Sequence, residues 1–477
     1  MISGLGDSSV ATFSTPKPVP SSNGRLPAIS HEVADFVLAA SWDGLPRDVQ
    51  KEVVRTNLNW VACAVGGANT PTAEVAIRAV LGMGSQGSTP VLGRSERFDM
   101  VNAAFLSCLN SAAQAFDDTH LKTITHPTGP VAAAAMAAIH LLATQGKPSS
   151  GKDFLLALAL GIEIECRLSN AIKADGAGAD LGWYMTGVSG GIGAAVAVGR
   201  LLKLDHGQLV SAIGLAAAQA CGVRSTHGSM ATAYVPAIAA RNGLTAAYMA
   251  AAGFTCSDGS IDGRNGLLQV MSPNADVERI RSGLGIEFEL LNNAYKPYPC
   301  GIVIHPAIDA ALALLANLAV SKEAIERVDL RVHPDALNLT WRKLPDTVLD
   351  AQVSLYHWVA AALVNGSAEI GQSELPCIQD SEVRAMQEKI FPLADTLLAS
   401  DQAEASVRLN TGQVFQIRIE HASGSIANPM NNEQLEAKFR SLTRRVLCEK
   451  RVDLLLQACW NMDGAQDPLE VFRLGSL

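Results

Sequence analysis

A mainly α-helical fold is predicted: a large helical domain, interrupted by a smaller α+β lid and completed by the C-terminal segment. Three observations carry this expectation. Apolar residues recur at three- and four-residue intervals from Ser30 to about residue 270, the period of an amphipathic helix. Strict alternation then appears in IERVDLRVHP (325–334) and in ASVRLNTGQVFQIRIE (405–420), the period of a half-buried strand. Hydrophobic residues make up 48% of the 477 positions, charged residues 17% and aromatics only 5%, so the core is large and built from small side chains. Such side chains let helices approach closely.

Residues 1–28 are rich in Ser and Pro and carry no period, so they read as a disordered tail. The helical domain is expected over 29–275. Its first helix opens at SHEVADF with Ser30 as cap, and LPRDVQKEVVRTNLNWVACAVGGA ends at Gly66-Gly67. The same period continues through FDMVNAAFLSCLNSAAQAF, GPVAAAAMAAIHLLATQG, GKDFLLALALGIEIECRLSNAIK, GVSGGIGAAVAVGRLLKL, DHGQLVSAIGLAAAQACG and AYVPAIAARNGLTAAYMAAAGF. The lid is expected over 276–424, with a hairpin turning at Thr411-Gly412 and a helix around SLYHWVAAALVNG (354–366). Residues 425–477 return to the helical domain through NNEQLEAKFRSLTRRVL (431–447). A cleft between two such parts is a favoured ligand site.

Several function classes are disfavoured. A net charge of −9 argues against nucleic acid, which needs a basic face. No apolar run reaches the roughly 18 residues that span a bilayer, so no membrane association is expected. The nine cysteines are scattered singly without CxxC spacing, which fits buried free thiols in a reducing compartment. A cytoplasmic location follows, with a mitochondrial one as the alternative. GVSGGIGAA (187–195) resembles a dinucleotide fingerprint, but no strand precedes it and no acidic partner follows, so its glycines read as helix-packing positions.

Polar groups concentrate where the chain is otherwise apolar. AFDDTHLKTITHPTGPVAAAAMAAIH (115–140) sets two aspartates, two histidines and a lysine before a buried helix. Asp118 alone reads equally well as a helix cap. His126, at a helix start before Pro127, is exposed to the positive end of the helix dipole, which favours the neutral imidazole. His120 lacks such support and reads as solvent-facing. In YKPYPCG, Lys296 and Tyr298 sit on a Pro-stiffened loop that cannot be regular helix, so an ammonium is held in a fixed place rather than left to solvent. His305 opens the following helix and reads as structural. Arg241-Asn242 reads as structural or as part of a dimer surface.

Four passages together resemble the MmgE/PrpD family: FDDTHLKTITHP (116–127), GWYMTGVSGGIGAA (182–195), GSMATAYVPAIAARNGLTAA (228–247) and YKPYPCGIVIHPAIDA (295–310). Their order and spacing are similar to the family's from about residue 30 to the C-terminus. The resemblance implies a helical domain with an α+β lid, an active site between them, a homodimer, no cofactor and no metal. It also implies proton removal or delivery at carbon next to a carboxylate, in the manner of 2-methylcitrate dehydratase, cis-aconitate decarboxylase and iminodisuccinate epimerase. On the matching positions, the implied catalytic set is His126, Lys296 and Asp118, with Asp117, Thr119 and Tyr298 contacting substrate.

Three departures from the family pattern rewire that set. Tyr184 stands where members carry a histidine. Thr232 stands where they carry a lysine, and Ala233 and Val235 replace a proline and a histidine. His357 stands where the lid helix usually offers a tyrosine. A histidine and a tyrosine thus exchange sides of the expected cleft, which adds Tyr184 and His357 to the catalytic candidates and Thr232 to the binding ones. The loss of cationic side chains, each worth roughly 1.5–3 kcal/mol to a desolvated carboxylate, points to an acid with fewer carboxylates than citrate-type substrates. The expected function is a cofactor-independent lyase acting alpha to a carboxylate of a small organic acid, with dehydration placed ahead of decarboxylation. The alternatives are an epimerase or isomerase, a biosynthetic enzyme on a less anionic acid, and a catalytically silent acid-binding homologue.

Overall fold

The structure, a computed structural model, describes residues 28–173, 182–317 and 322–477. The tail expected over 1–28 lies outside the described residues, apart from Ala28.

The helical body is built from α1 (Ile29–Ala39), α2 (Arg47–Gly67), α3 (Pro71–Gly82), α4 (Met100–Ala112), α5 (Thr128–Thr144), α6 (Gly151–Ile172), α7 (Met185–Leu201), α8 (His206–Ala217) and α9 (Ala231–Ala251). Local chemistry starts several of them. Thr70 caps α3 with Pro71 at its first position, Asp99 caps α4, and Ser150 with Asp153 and Asp205 with Gln208 form reciprocal capping boxes on α6 and α8. The first helix starts two residues earlier than its sequence suggests, with Ala28 rather than Ser30 at the cap position. Ser30 lies inside it and donates its hydroxyl to the Asp258 carbonyl at 2.6 Å instead of capping.

α5 and α7 are buried almost throughout, which accounts for their uniform apolarity. The glycines of GVSGGIGAA lie on close helix seams. A Cβ on Gly193 would come within 2.7 Å of the Gly161 carbonyl of α6, and one on Gly243 of α9 within 2.2 Å of the Gly191 carbonyl. Only glycine fits such approaches.

Short strand pairs tie down the loops of this body. β1 (Thr89–Pro90) pairs with β2 (Arg97–Phe98), and β3 (Thr119–His120) pairs with β4 (Asn293–Ala294) in the register Thr119↔Ala294 and His120↔Asn293. The lid sheet contains β5 (Ile325–Val332), β6 (Ile390–Ala394), β7 (Ala403–Leu409) and β8 (Val414–Ile419) in the order β6-β5-β7-β8. β5 and the β7–β8 hairpin match the alternating segments, with Gly412 at φ 83° in the turn. β6 carries no alternation in sequence. It pairs parallel to β5 at the sheet edge, where Pro392 costs no ladder bond.

Two apolar cores result. The first joins the helical body with Leu435, Phe439, Leu442, Val452 and Leu455 from the C-terminal helices Asn432–Thr443 and Glu449–Trp460. The second lies between the lid sheet and the helices His305–Asn317 and Leu355–Asn365. Residues 276–293, read as lid from sequence, contribute Ile280, Phe288 and Leu290 to the first core. All nine cysteines are free thiols.

Candidate active site

The β3–β4 pairing brings the loop at residue 117 against the loop at residue 296. Lys296, only 2% exposed, donates from Nζ to Asp117 Oδ1 at 2.9 Å and to the Ala115 carbonyl at 3.2 Å. Desolvation works to raise the Asp117 pKa, but the Lys296 ammonium and His126 outweigh it and hold the carboxyl below its ordinary range. Ala115 adopts φ 50° and Ile124 φ 55°, a region rarely entered by L residues and least by a β-branched one. Both line the cavity beside Asp117, where stored backbone strain tends to gather.

That cavity, of about 70 Å³, is lined by Asp117, His126, Tyr184, His227, Thr232 and Lys296, with Gln352 and Thr340 arriving from the lid side. His126 precedes α5, and its backbone N–H is fixed by Thr186 Oγ1 at 2.9 Å. Its Nδ1 lies 2.8 Å from the Asp118 carbonyl and 3.1 Å from Thr119 Oγ1. A carbonyl only accepts, so Nδ1 carries the proton and Nε2 is the basic nitrogen. Asp117 Oδ1, at 3.9 Å from Nδ1, lies beyond hydrogen-bonding distance and acts through its charge. The His126 pKa is lowered, as its sequence position suggests, but burial is the main cause and Lys296 adds to it. Tyr184, buried at the start of α7, packs its ring edge against His126 at 6.1 Å, and burial raises its phenol well above the ordinary range.

Asp118 sits behind the cavity wall. Its Oδ2 accepts from Thr128 Oγ1 and from Asn293 Nδ2, both at 2.5 Å, so it anchors the start of α5 to β4. Burial pushes its pKa up to about 6 against those bonds. Thr119 reaches the cavity only through His126.

Two candidates, His357 and Tyr298, stand elsewhere, and His120 differs from its sequence reading. His357 is fully buried in the lid core, with Nε2 2.8 Å from the Gln372 carbonyl and Nδ1 3.4 Å from Gln387 Nε2. It does not line the cavity with Tyr184, so the expected exchange of histidine and tyrosine across the cleft is corrected: the lid helix turns this position toward Gln372 and Gln387, away from the cavity. Tyr298 donates its hydroxyl to Asp309 Oδ1 at 2.5 Å and packs on His305 rather than lining the cavity. His120 is buried rather than solvent-facing, bonded to Thr123 Oγ1 at 2.7 Å and to Glu289 Oε2 at 3.0 Å.

Other residues at the site carry little signal in the sequence. His227 lies in a polar loop, RSTHGSM, that reads as ordinary surface. Gln352 donates to the Ala113 carbonyl at 3.0 Å. Lys438, buried, donates to the carbonyls of Phe116 at 2.7 Å and Lys296 at 2.9 Å and so joins the two site loops. Its burial lowers its pKa to about 8. The i, i+3, i+7 spacing of Leu435, Lys438 and Leu442 on a helix holds the clue, because it puts the lysine on the apolar face. Among the described residues no group of three or more His, Cys, Asp or Glu is arranged to hold a metal ion, and no helix is long and apolar enough to cross a membrane.

The family description MmgE/PrpD N-terminal domain matches residues 31–280, and the MmgE/PrpD C-terminal domain matches 298–462. A cis-aconitate decarboxylase of Aspergillus terreus is 26% identical over 472 residues, covering 92% of this chain and 94% of that protein. The cis-aconitate decarboxylase of Mus musculus is 26% identical over 408 residues, covering 82% of this chain and 81% of its own. That of Homo sapiens is 25% identical over 397 residues, with 80% of each chain covered.

Proposed function

The chain belongs to the MmgE/PrpD family, and on that basis we propose that it is a lyase acting at the carbon next to a carboxylate of a small organic acid. The observation that carries the proposal is the pinned tautomer of His126: Nδ1–H is spent on the Asp118 carbonyl, leaving Nε2 as a base in a cavity shared with the Lys296 ammonium. Lys296 holds a substrate carboxylate through the ammonium N–H that Asp117 and the Ala115 carbonyl leave free. His126 moves the proton at the adjacent carbon. Tyr184, whose phenol stays protonated, donates a hydrogen bond to the oxygen on which charge gathers.

The names of the relatives shift the preferred outcome from dehydration to decarboxylation. In that outcome the bond to one carboxylate breaks, carbon dioxide leaves, and the electron pair remains on carbon. A proton relayed from water through His126 then completes the product. If His126 instead removes a proton and a hydroxyl departs with a proton from Tyr184, the same groups serve dehydration.

The substrate carries fewer carboxylates than citrate-type acids. Lys296 is already paired with Asp117, and the walls add only neutral groups at Tyr184, Thr232, Thr340 and Gln352. A further carboxylate would lose its water without compensation.

The test incubates the protein in deuterium oxide with cis-aconitate, 2-methylcitrate and simpler mono- and dicarboxylic acids. Released carbon dioxide, unsaturated product and deuterium in recovered acid are followed together. Carbon dioxide release with deuterium at the adjacent carbon supports decarboxylation. No product and no exchange with any acid would refute the lyase reading.

A further inference from the structure

We infer that His227 is a specificity-determining residue, whose imidazole receives an uncharged polar group of the substrate, a hydroxyl or carbonyl, in the cavity it shares with Lys296. This rests on the reading of the cavity as an acid-binding site and extends it to the substrate's second polar group.

His227 lines the central cavity and also the adjoining one bounded by Lys173, Trp183 and Arg224. Its ring meets Tyr184 edge to face at 4.7 Å, and Tyr184 also meets His126 at 6.1 Å, so one tyrosine touches both histidines. The loop behind the ring is held firmly: the His227 N–H donates to the Arg224 carbonyl at 3.0 Å, and the His227 carbonyl accepts from Arg342 Nη2 at 3.2 Å. Arg342 is itself paired with Asp350 at 2.9 Å, so its charge is already answered. The Nε2 atom of His227 is shut off from solvent and has no hydrogen-bond partner among the described residues. Buried polar atoms are normally satisfied, and one left open beside a ligand cavity is an opening for a ligand group.

The choice between a charged and an uncharged ligand group follows from the surroundings. Burial, together with the nearby cations of Arg224, Lys296 and Arg342, depresses the His227 pKa to about 4. The ring is therefore neutral near pH 7 and offers one donor and one acceptor, with no charge to balance a carboxylate. Thr232 adds another neutral hydroxyl on the same wall. A site that hydrogen-bonds a hydroxyl discriminates strongly against analogues lacking it, because its own polar groups are then left unpaired.

Calorimetric binding, which needs no turnover, provides the test, with 3-hydroxybutyrate, butyrate and succinate as probes. The wild-type protein is expected to bind 3-hydroxybutyrate roughly tenfold or more tightly than either other acid, the scale of one buried hydrogen bond. His227→Phe should erase the advantage over butyrate, His227→Gln should keep it, and His227→Lys should move the preference to succinate. Circular dichroism and thermal unfolding establish that each variant folds. An unchanged ratio in folded His227→Phe, or no binding of any probe to the wild type, would overturn the inference. Selective binding that depends on His227 without product or exchange would leave it standing while refuting the lyase reading.

Discussion

Lys296 Nζ lies 2.9 Å from Asp117 Oδ1, a pair formed between loops 179 positions apart and buried beside the cavity. The β3–β4 pairing and the Lys438 ammonium hold both loops in place. Lys296→Met leaves a buried carboxylate without its partner, which costs about 3–5 kcal/mol. The double variant Lys296→Met with Asp117→Asn removes both charges and should recover much of that stability without recovering turnover. Thermal unfolding and turnover of the two variants check this; equal stability of both would mean that the pair is not coupled.

His126→Gln should lower turnover about 100-fold or more, the usual contribution of a positioned proton-transfer group. Near-normal turnover in a folded variant removes His126 from this role.

Asp118 makes a pH-dependent prediction. Its pKa is raised by burial from 3.8 to about 6. Between those values the folded chain keeps a proton that the unfolded chain has released, so the group's contribution is full at low pH and lost as pH rises through about 6. Asp118→Asn cannot ionise. Its melting temperature relative to wild type should therefore rise from pH 4 to pH 6 and level off above. A difference that does not change with pH would contradict the buried, protonated carboxyl.

Thr232→Lys places an ammonium on a neutral wall. Preference in a panel of mono-, di- and tricarboxylic acids should shift toward the more highly charged members. Efficient turnover of 2-methylcitrate or cis-aconitate by the unmodified protein would defeat the charge argument.

His357→Leu should cost about 1–2 kcal/mol through the lost bond to the Gln372 carbonyl while leaving turnover within about threefold. A loss of turnover approaching that of His126→Gln, in a folded variant, would return His357 to the catalytic set.

The helical period, the alternating lid strands and the loops holding Asp117, His126 and Lys296 are all legible in the amino-acid order, because each is a local pattern of spacing or stiffness. The family resemblance across both parts of the chain is legible there too. Which way these residues face is set by packing alone. Helical spacing places His357 on a lid helix, but the packing of that helix against the segments carrying Gln372 and Gln387 turns its ring inward. Tyr298 likewise follows Asp309, and His120 follows Glu289, through contacts made only in the folded chain. β6 leaves no mark in the sequence because an edge strand needs no alternation once β5 supplies its partner. His227 joins the site from a segment that looks like surface, and Lys438 from the apolar face of its helix, since burial of a polar side chain depends on what folds over it. Periodicity records the local environment of a segment, whereas a site is made by long-range packing that brings unrelated segments together.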